Sequence, residues 1–261
     1  MVSGTAPVAL ISGGGTGVGA ATAHRLAARG YRVAVNYRRS AEAAKEVATA
    51  CRVAGVDGMA LQGDVAVDAD CRSMVDVVTR AWGRLDVLVC SAGATQFTRL
   101  DDLDAQNGED FQRVYATNVV AVHQLARAAK PHLIASQGAI VTISSIAGQN
   151  GNGSSLAYIA SKGALNSLTL ALARLFAPEV RVNAILPGLI DSGWFLNGMG
   201  QDKYHTIRDE FATASALQAV CTPDDIAGAA EFLAVDAVKM TGQLMVVDSG
   251  YLLGRAVSVS R

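Results

Sequence analysis

Short apolar runs alternate along the chain with longer amphipathic or Ala-rich stretches. The runs are Val8–Ser12, Arg32–Asn36, Gly58–Gln62, Leu85–Cys90, Ala139–Ser144, Arg181–Leu186 and Gln243–Val247. Several carry apolar residues on successive positions, such as Val-Leu-Val at 87–89 and Ile-Val-Thr-Ile at 140–143. A strand covered on one face alternates, whereas an unbroken apolar run fits a strand covered on both. Between the runs the pattern predicts helices over Gly17–Arg29, Ala41–Ala54, Asp68–Trp82, Leu156–Phe176 and Pro223–Val235, with a further helical segment at Asp110–Ala135. Thr-Pro-Asp-Asp at 222–225 announces one of them: a capping hydroxyl, proline at the first helical position, then acids in the first turn. All five prolines (Pro7, Pro131, Pro178, Pro187, Pro223) are expected at element ends. With no internal repeat and no Ser/Pro/Gly linker, residues 1–261 read as one α/β domain. Its core is a doubly wound parallel sheet of about seven strands with helices on both faces.

Composition narrows the class. Hydrophobic residues make up 51% of the chain and charged residues 17%, against a usual charged share of about 25%. Such a chain buries enough apolar surface to fold, so intrinsic disorder is excluded. A net charge of −1 gives no sign of a nucleic-acid partner. Between Lys130 and Lys162 there is no Asp, Glu, Lys or Arg at all. Glycines and Gln, Asn and Ser interrupt that interval, so it falls short of the ~20 apolar residues of a membrane span. No basic segment precedes an apolar stretch at Met1–Pro7, so no signal peptide is expected. Cys51, Cys71, Cys90 and Cys221 form no C-x-x-C pair and read as buried reduced thiols. The four histidines have no metal-ligand spacing. A cytoplasmic protein without a metal is expected.

Three stretches carry candidate chemistry. After the first strand comes Ser-Gly-Gly-Gly-Thr-Gly-Val-Gly (12–19), opening a helix. A tight turn alone explains such a string; the strand before and helix after it favour a phosphate cradle. After the second strand, where an acid would hold the ribose of NAD(H), stand Asn36, Tyr37, Arg38, Arg39 and Ser40. Two guanidiniums and a hydroxyl suit a 2′-phosphate, so NADP(H) is preferred with NAD(H) as the second candidate. A merely solvated helix approach is the other reading of the two arginines. Third, Tyr158 and Lys162 share a helix face at i,i+4. An ammonium beside a phenol favours the phenolate, bringing its pKa down toward use in proton exchange with an alcohol or ketone. Ser145 ends a strand thirteen positions earlier, and Asn118 lies in the preceding helical segment.

Together S-G-G-G-T-G-V-G (12–19), Asp64-Val65, Cys90-Ser91-Ala92-Gly93, Asn118, Ser145, Y-I-A-S-K (158–162) and Pro187-Gly188 resemble the short-chain dehydrogenase/reductase family, in order, from about Ala6 to Gly250. Asn-Tyr-Arg-Arg-Ser at 36–40, Gly-Asn-Gly at 151–153 and Thr-Gly-Gln at 241–243 look most like its 3-oxoacyl-thioester reductase branch. The resemblance implies a Rossmann-type fold with Gly13, Gly15, Thr16, Gly17 and Val18 at the cofactor phosphates. Asn36, Tyr37, Arg38 and Arg39 would lie at the adenosine ribose and Asp64 and Val65 at the adenine. Ser91, Ala92 and Gly93 would line the cofactor, with Pro187, Gly188, Ile190 and Ser192 covering the nicotinamide. Tyr158 would be the general acid/base, Lys162 its electrostatic partner on the ribose, Ser145 the carbonyl-polarising hydroxyl, and Asn118 the holder of a relay water. The family's usual Asn-Asn-Ala-Gly is Cys90-Ser91-Ala92-Gly93 here, which implies altered packing. Its threonine after Pro-Gly is Ser192. The basic cluster common in reductases of carrier-bound acyl groups is Ala135-Ser136-Gln137, which weakens a carrier-protein substrate.

Residues 188–221 gain apolar and aromatic side chains with interspersed glycines, among them Leu189, Trp194, Phe195, Leu196, Met199, Tyr204 and Phe211. They read as a lid over a small to medium apolar ketone or secondary alcohol, an ordinary packed insertion being the alternative. The helix at Leu156–Phe176, apolar nearly all round, is expected against a second copy, and the family commonly forms tetramers through this helix and its neighbour. A non-catalytic NAD(P)-binding sensor of the same fold is the rival reading; the retained tyrosine and lysine disfavour it. A hydrolase lacks its G-x-S-x-G elbow.

Overall fold

The computed structural model describes residues 6–194 and 200–256. Met1–Thr5 of the leader reading and Phe195, Leu196, Gly198 and Met199 of the expected lid lie outside these residues. Strands β1 (Val8–Ser12), β2 (Arg32–Tyr37), β3 (Gly58–Gln62), β4 (Val87–Cys90), β5 (Ala139–Ile143), β6 (Arg181–Pro187) and β7 (Leu244–Val247) form one sheet, ordered β3-β2-β1-β4-β5-β6-β7. Every pair is parallel. The α-helices among the described residues are α1 (Gly17–Ala28), α2 (Ala41–Val53), α3 (Asp68–Trp82), α4 (Gly108–Tyr115), α5 (Ala121–Ser136), α6 (Ala147–Asn150), α7 (Leu156–Phe176), α8 (Gln201–Ala214) and α9 (Pro223–Glu231).

The unbroken apolar runs have the cause expected of them. In β1, Leu10 packs with residues of α3, α5 and α7, while Ala9 and Ile11 pack with residues of α1, α2 and α9. Side chains of a strand alternate between faces, so a sheet with a core on each side needs apolar residues at every position. The progression of strands across the sheet reverses between β1 and β4, which opens a crevice at the strands' carboxyl ends.

One expectation needs correcting and one refining. Pro131 does not sit at an element end; it lies inside α5. Proline lacks the N–H that would reach the carbonyl of Arg127. The helix continues past it because Ala126, Ala129 and Leu133 bury its inner face. The helical stretch from Pro223 does reach Val235, but not as one uniform helix: α9 ends at Glu231, and Phe232–Asp236 continues it as a wider π-turn. The Asn118 segment contains a second π-turn at Ala116–Val120. An extra residue in a turn leaves no trace in apolar spacing, which is why the sequence announces neither.

No described helix is long and apolar enough to cross a membrane, and no described His, Cys, Asp and Glu cluster could hold a metal.

Candidate active site

At the end of β1 the chain enters the glycine turn. Gly13 and Gly17 have positive φ values of 63° and 52°. A side chain on Gly13 would stand 2.8 Å from the Cα of Ala92, and one on Gly19 would stand 2.3 Å from the carbonyl oxygen of Gly13, so the turn can close only without them. A side chain on Gly17 would meet nothing within 4 Å. Helix α1 starts there with no side-chain cap from Thr16 and no acid in its first turn. An uncapped helix N-terminus on open space, fronted by glycine, fits a pyrophosphate. Val18 behind it is buried.

Asn36 braces the turn from β2. Its Oδ1 accepts from the N–H of Gly13 at 3.3 Å, and its Nδ2 donates to the carbonyl of Gly63 at 2.9 Å. It is therefore a buried structural bracket. Tyr37 beside it is half-buried, and Arg38 and Arg39 are exposed. Arg38 pairs with Asp64 at 3.3 Å, and the other Asp64 oxygen accepts from the N–H of Ala66 at 3.0 Å. Val65 is buried.

The chain after β4 is pinned by a residue that sequence reasoning passes over. The hydroxyl of Ser12 lies 3.2 Å from the N–H groups of both Ser91 and Ala92. Its place at the head of the glycine motif is the one signal that could have found it. Cys90 is buried, and burial pushes its thiol up to about 12. It packs as an apolar residue, which fits the expected change in packing.

Asn118 is 1% exposed. Its Oδ1 accepts from the N–H of Ala94 at 2.7 Å, and its Nδ2 donates to the carbonyl of Ala94 and the hydroxyl of Ser161, both at 2.9 Å. The side chain is thus committed to tying the β4 loop to α7, next to the tyrosine.

Helix α7 carries the pair. Ser155 caps it by accepting from the N–H of Tyr158 at 3.2 Å, and Gln106 accepts from the N–H of Ala157 at 3.1 Å. Lys162 is 4% exposed and donates to the carbonyl of Ile143 at 2.8 Å. No carboxylate of the described residues faces it, and burial alone lowers its ammonium to about 8. Its Nζ lies 5.5 Å from the centroid of the Tyr158 ring. The phenol shares a hydrogen bond with Ser145, which favours the phenolate, yet burial outweighs it and pushes the pKa above its usual value. The expected net lowering is not seen in the protein alone: burial dominates the shift, and the ammonium donates to the Ile143 carbonyl. Ser145 is itself buried and accepts from the N–H of Ala147 at 3.1 Å.

Beyond β6, Pro187 is buried, and the N–H of Gly188 donates to the carbonyl of Val247 at 3.0 Å. A side chain on Gly188 would meet the Phe211 ring at 2.8 Å. Ile190 forms a parallel bridge with Cys221, and Ser192 follows, half-buried. The structure thus gathers the phosphate turn, the β4 loop, the Ser145–Tyr158–Lys162 group and the post-β6 segment at one carboxyl edge of the sheet.

Fold and site together define a Rossmann-type NAD(P)-binding oxidoreductase. The chain belongs to the short-chain dehydrogenase/reductase family, in its ketoacyl-reductase-like branch: a family model described as enoyl-(acyl carrier protein) reductase matches residues 13–252. It is 40% identical over 246 residues to a protein of Streptomyces violaceoruber named as ketoacyl reductase 2 of the granaticin polyketide synthase, covering 94% of this chain and 96% of that one. It is 34% identical over 245 residues to the 3-oxoacyl-acyl-carrier-protein reductase FabG of Staphylococcus aureus, covering 93% and 96%. A crystal structure of a short-chain dehydrogenase/reductase from Burkholderia xenovorans superposes with a TM-score of 0.89 at 39% identity, covering 97% of this chain and 100% of that one.

Proposed function

We propose that the protein interconverts a ketone and a secondary alcohol with NADP(H) in preference to NAD(H). The observation that carries this reading is the Tyr158–Ser145 hydrogen bond beside a buried Lys162 that faces no carboxylate among the described residues. The nicotinamide, when bound, supplies or accepts the hydride. Ser145 donates its hydroxyl proton toward the substrate oxygen and polarises the carbonyl. Tyr158, kept protonated by its burial, gives its phenolic proton to that oxygen during reduction and takes it back during oxidation. Lys162 holds a positive charge over the ring face and steadies the phenolate left behind. Asn118, its side chain already engaged, offers its main-chain carbonyl to a relay water. Gly13, Gly15, Thr16, Gly17 and Val18 hold the diphosphate at the α1 N-terminus. Arg38, Arg39 and the hydroxyl of Ser40, which caps nothing, meet the 2′-phosphate, while Asp64 and Val65 border the adenine. Ser91, Ala92, Gly93, Pro187, Gly188, Ile190 and Ser192 frame the nicotinamide half.

Residues 188–221 serve as the lid, and the substrate is an uncharged, small to medium apolar ketone. Segment 94–113, which reaches α7 through Gln106, carries five acids against two arginines. Both arginines are paired, Arg99 with Asp101 and Arg113 with Asp110. Such a rim repels an acidic carrier. Four free, buried cysteines accord with a reducing cytoplasm, and the assembly is a homotetramer.

The test is Tyr158→Phe assayed by NADPH oxidation over 3-oxoacyl thioesters, cyclic ketones and diketones. Turnover should fall about 10²- to 10⁴-fold, while the dissociation constant of NADPH stays near that of the wild type. In the same titration NADPH should bind about tenfold or more tighter than NADH. Full activity in the phenylalanine variant, or equal affinity for both dinucleotides, would contradict the corresponding part of the reading.

A further inference from the structure

Trp194 is placed as no ordinary surface tryptophan would be. The root of its segment is fixed: the N–H of Asp191 donates to the carbonyl of Cys221 at 2.8 Å. The Asp191 carboxylate accepts from the Tyr204 phenol at 2.6 Å and pairs with the Arg208 guanidinium at 3.3 Å. Tyr204 is buried in α8, and burial together with the Asp191 bond raises its phenol to about 12, so it stays a donor throughout the working pH range. Three residues beyond Asp191, the six-membered ring of Trp194 lies over Gly93. A methyl built on Gly93 would stand 3.4 Å from its Cη2 and 3.7 Å from the Oδ1 of Asn118. Asn118 in turn bonds Ser161, whose hydroxyl donates to the carbonyl of Tyr158 at 2.7 Å. The indole therefore rests on the wall that carries the catalytic tyrosine. Even so, Trp194 remains 40% exposed.

An aromatic ring with one edge on a polar-atom-poor glycine and a large part of its surface open is a stacking surface waiting for a second flat group. We propose that Trp194 determines substrate specificity by stacking on a flat, apolar ring carried by the ketone. This deepens the ketone-reductase reading and rests on it. Gly93 is part of the device, because a methyl there would already touch the indole and a larger side chain would lift it off the wall.

The experiment compares Trp194→Ala and Trp194→Phe with the wild type on two uncharged ketones of equal carbon number, an aryl-fused cyclic ketone and a straight-chain ketone. In the alanine variant KM for the ring ketone should rise about tenfold with kcat little changed. KM for the straight-chain ketone should move by less than about threefold, and phenylalanine should restore most of the loss. The dissociation constant of NADPH should not change. An equal rise for both ketones, or a weakened NADPH affinity with ketone selectivity intact, would overturn the assignment. If the wild type reduces neither ketone nor any 3-oxoacyl thioester, the reductase reading itself fails and takes this one with it. A thermal melt confirms that each variant is folded, as expected for a side chain outside the core.

Discussion

Lys162 shows at the scale of one residue that the site is built against stability. Its ammonium is buried without a counter-ion, and its pKa falls from 10.5 to about 8. At neutral pH both folded and unfolded chains carry the proton, so the fold bears the whole penalty of that burial, roughly 3 kcal/mol. Lys162→Met removes the charge and also the bond to Ile143, which returns about 1 kcal/mol. The variant should therefore melt several degrees above the wild type at pH 7 while losing turnover. The sign of the pH dependence follows from the lowered pKa. Between about 8 and 10.5 the unfolded chain binds more protons than the folded one, so wild-type stability climbs with pH and the variant's advantage fades. Melting curves at pH 7 and pH 10 check both halves; a less stable variant at pH 7 would mean that Lys162 is held by more than the Ile143 carbonyl. The Tyr158–Lys162 pair is legible in the sequence because four residues on a helix guarantee a shared face. The direction of the tyrosine's shift is not, since it depends on depth and on where the ammonium points. Ser12, Gln106 and Asp191 act through partners 79, 51 and 13 residues away, and no local spacing announces such contacts.

Among the elements, the strands are legible almost to the residue because a two-sided core writes itself as continuous apolar letters. The helices are less so where they widen. A side chain from the sheet bridges the end of the π-turn at Phe232–Asp236. The guanidinium of Arg181, at the start of β6, donates to the carbonyls of Leu233 at 2.6 Å, Ala234 at 2.7 Å and Ala237 at 3.0 Å. The Leu233 and Ala234 oxygens have left the regular ladder, the Ala237 oxygen also accepts from the N–H of Met240 at 3.0 Å, and one planar fork reaches all three. In the sequence Arg181 looks only like a charged residue opening an apolar strand. Arg181→Met should cost about 2 kcal/mol, measured by chemical denaturation, because it strands the Leu233 and Ala234 carbonyls together, while that of Ala237 keeps the N–H of Met240. Arg181→Lys should recover only part of that, since one ammonium cannot span the same three positions. A methionine variant as stable as the wild type would show that water serves the turn equally well.

For the whole molecule, two groups of the apolar side chains left exposed after folding bear on assembly. Helix α7 was expected to be buried all round, and one flank is: Leu165, Leu172 and Phe176 enter the core. The other flank is open, with Leu175 70% exposed and Leu170 at 42%, and Val120 at the head of α5 also uncovered. At the far edge of the sheet, Val246 of β7, Val238, Leu252 and Leu253 are exposed as well. In the proposed tetramer, one two-fold contact through each patch would close a dihedral assembly and hide both. It would also shield β7, whose outer edge has no described strand beside it. Leu170→Glu combined with Leu175→Glu puts like charges together across the first contact while leaving the second intact. Sedimentation should then show the wild type as a tetramer and the double variant as a dimer, with the subunit fold unchanged by circular dichroism. A double variant that stays tetrameric would place the α7 flank outside the assembly, and a monomeric wild type would leave both apolar patches without a subunit to cover them.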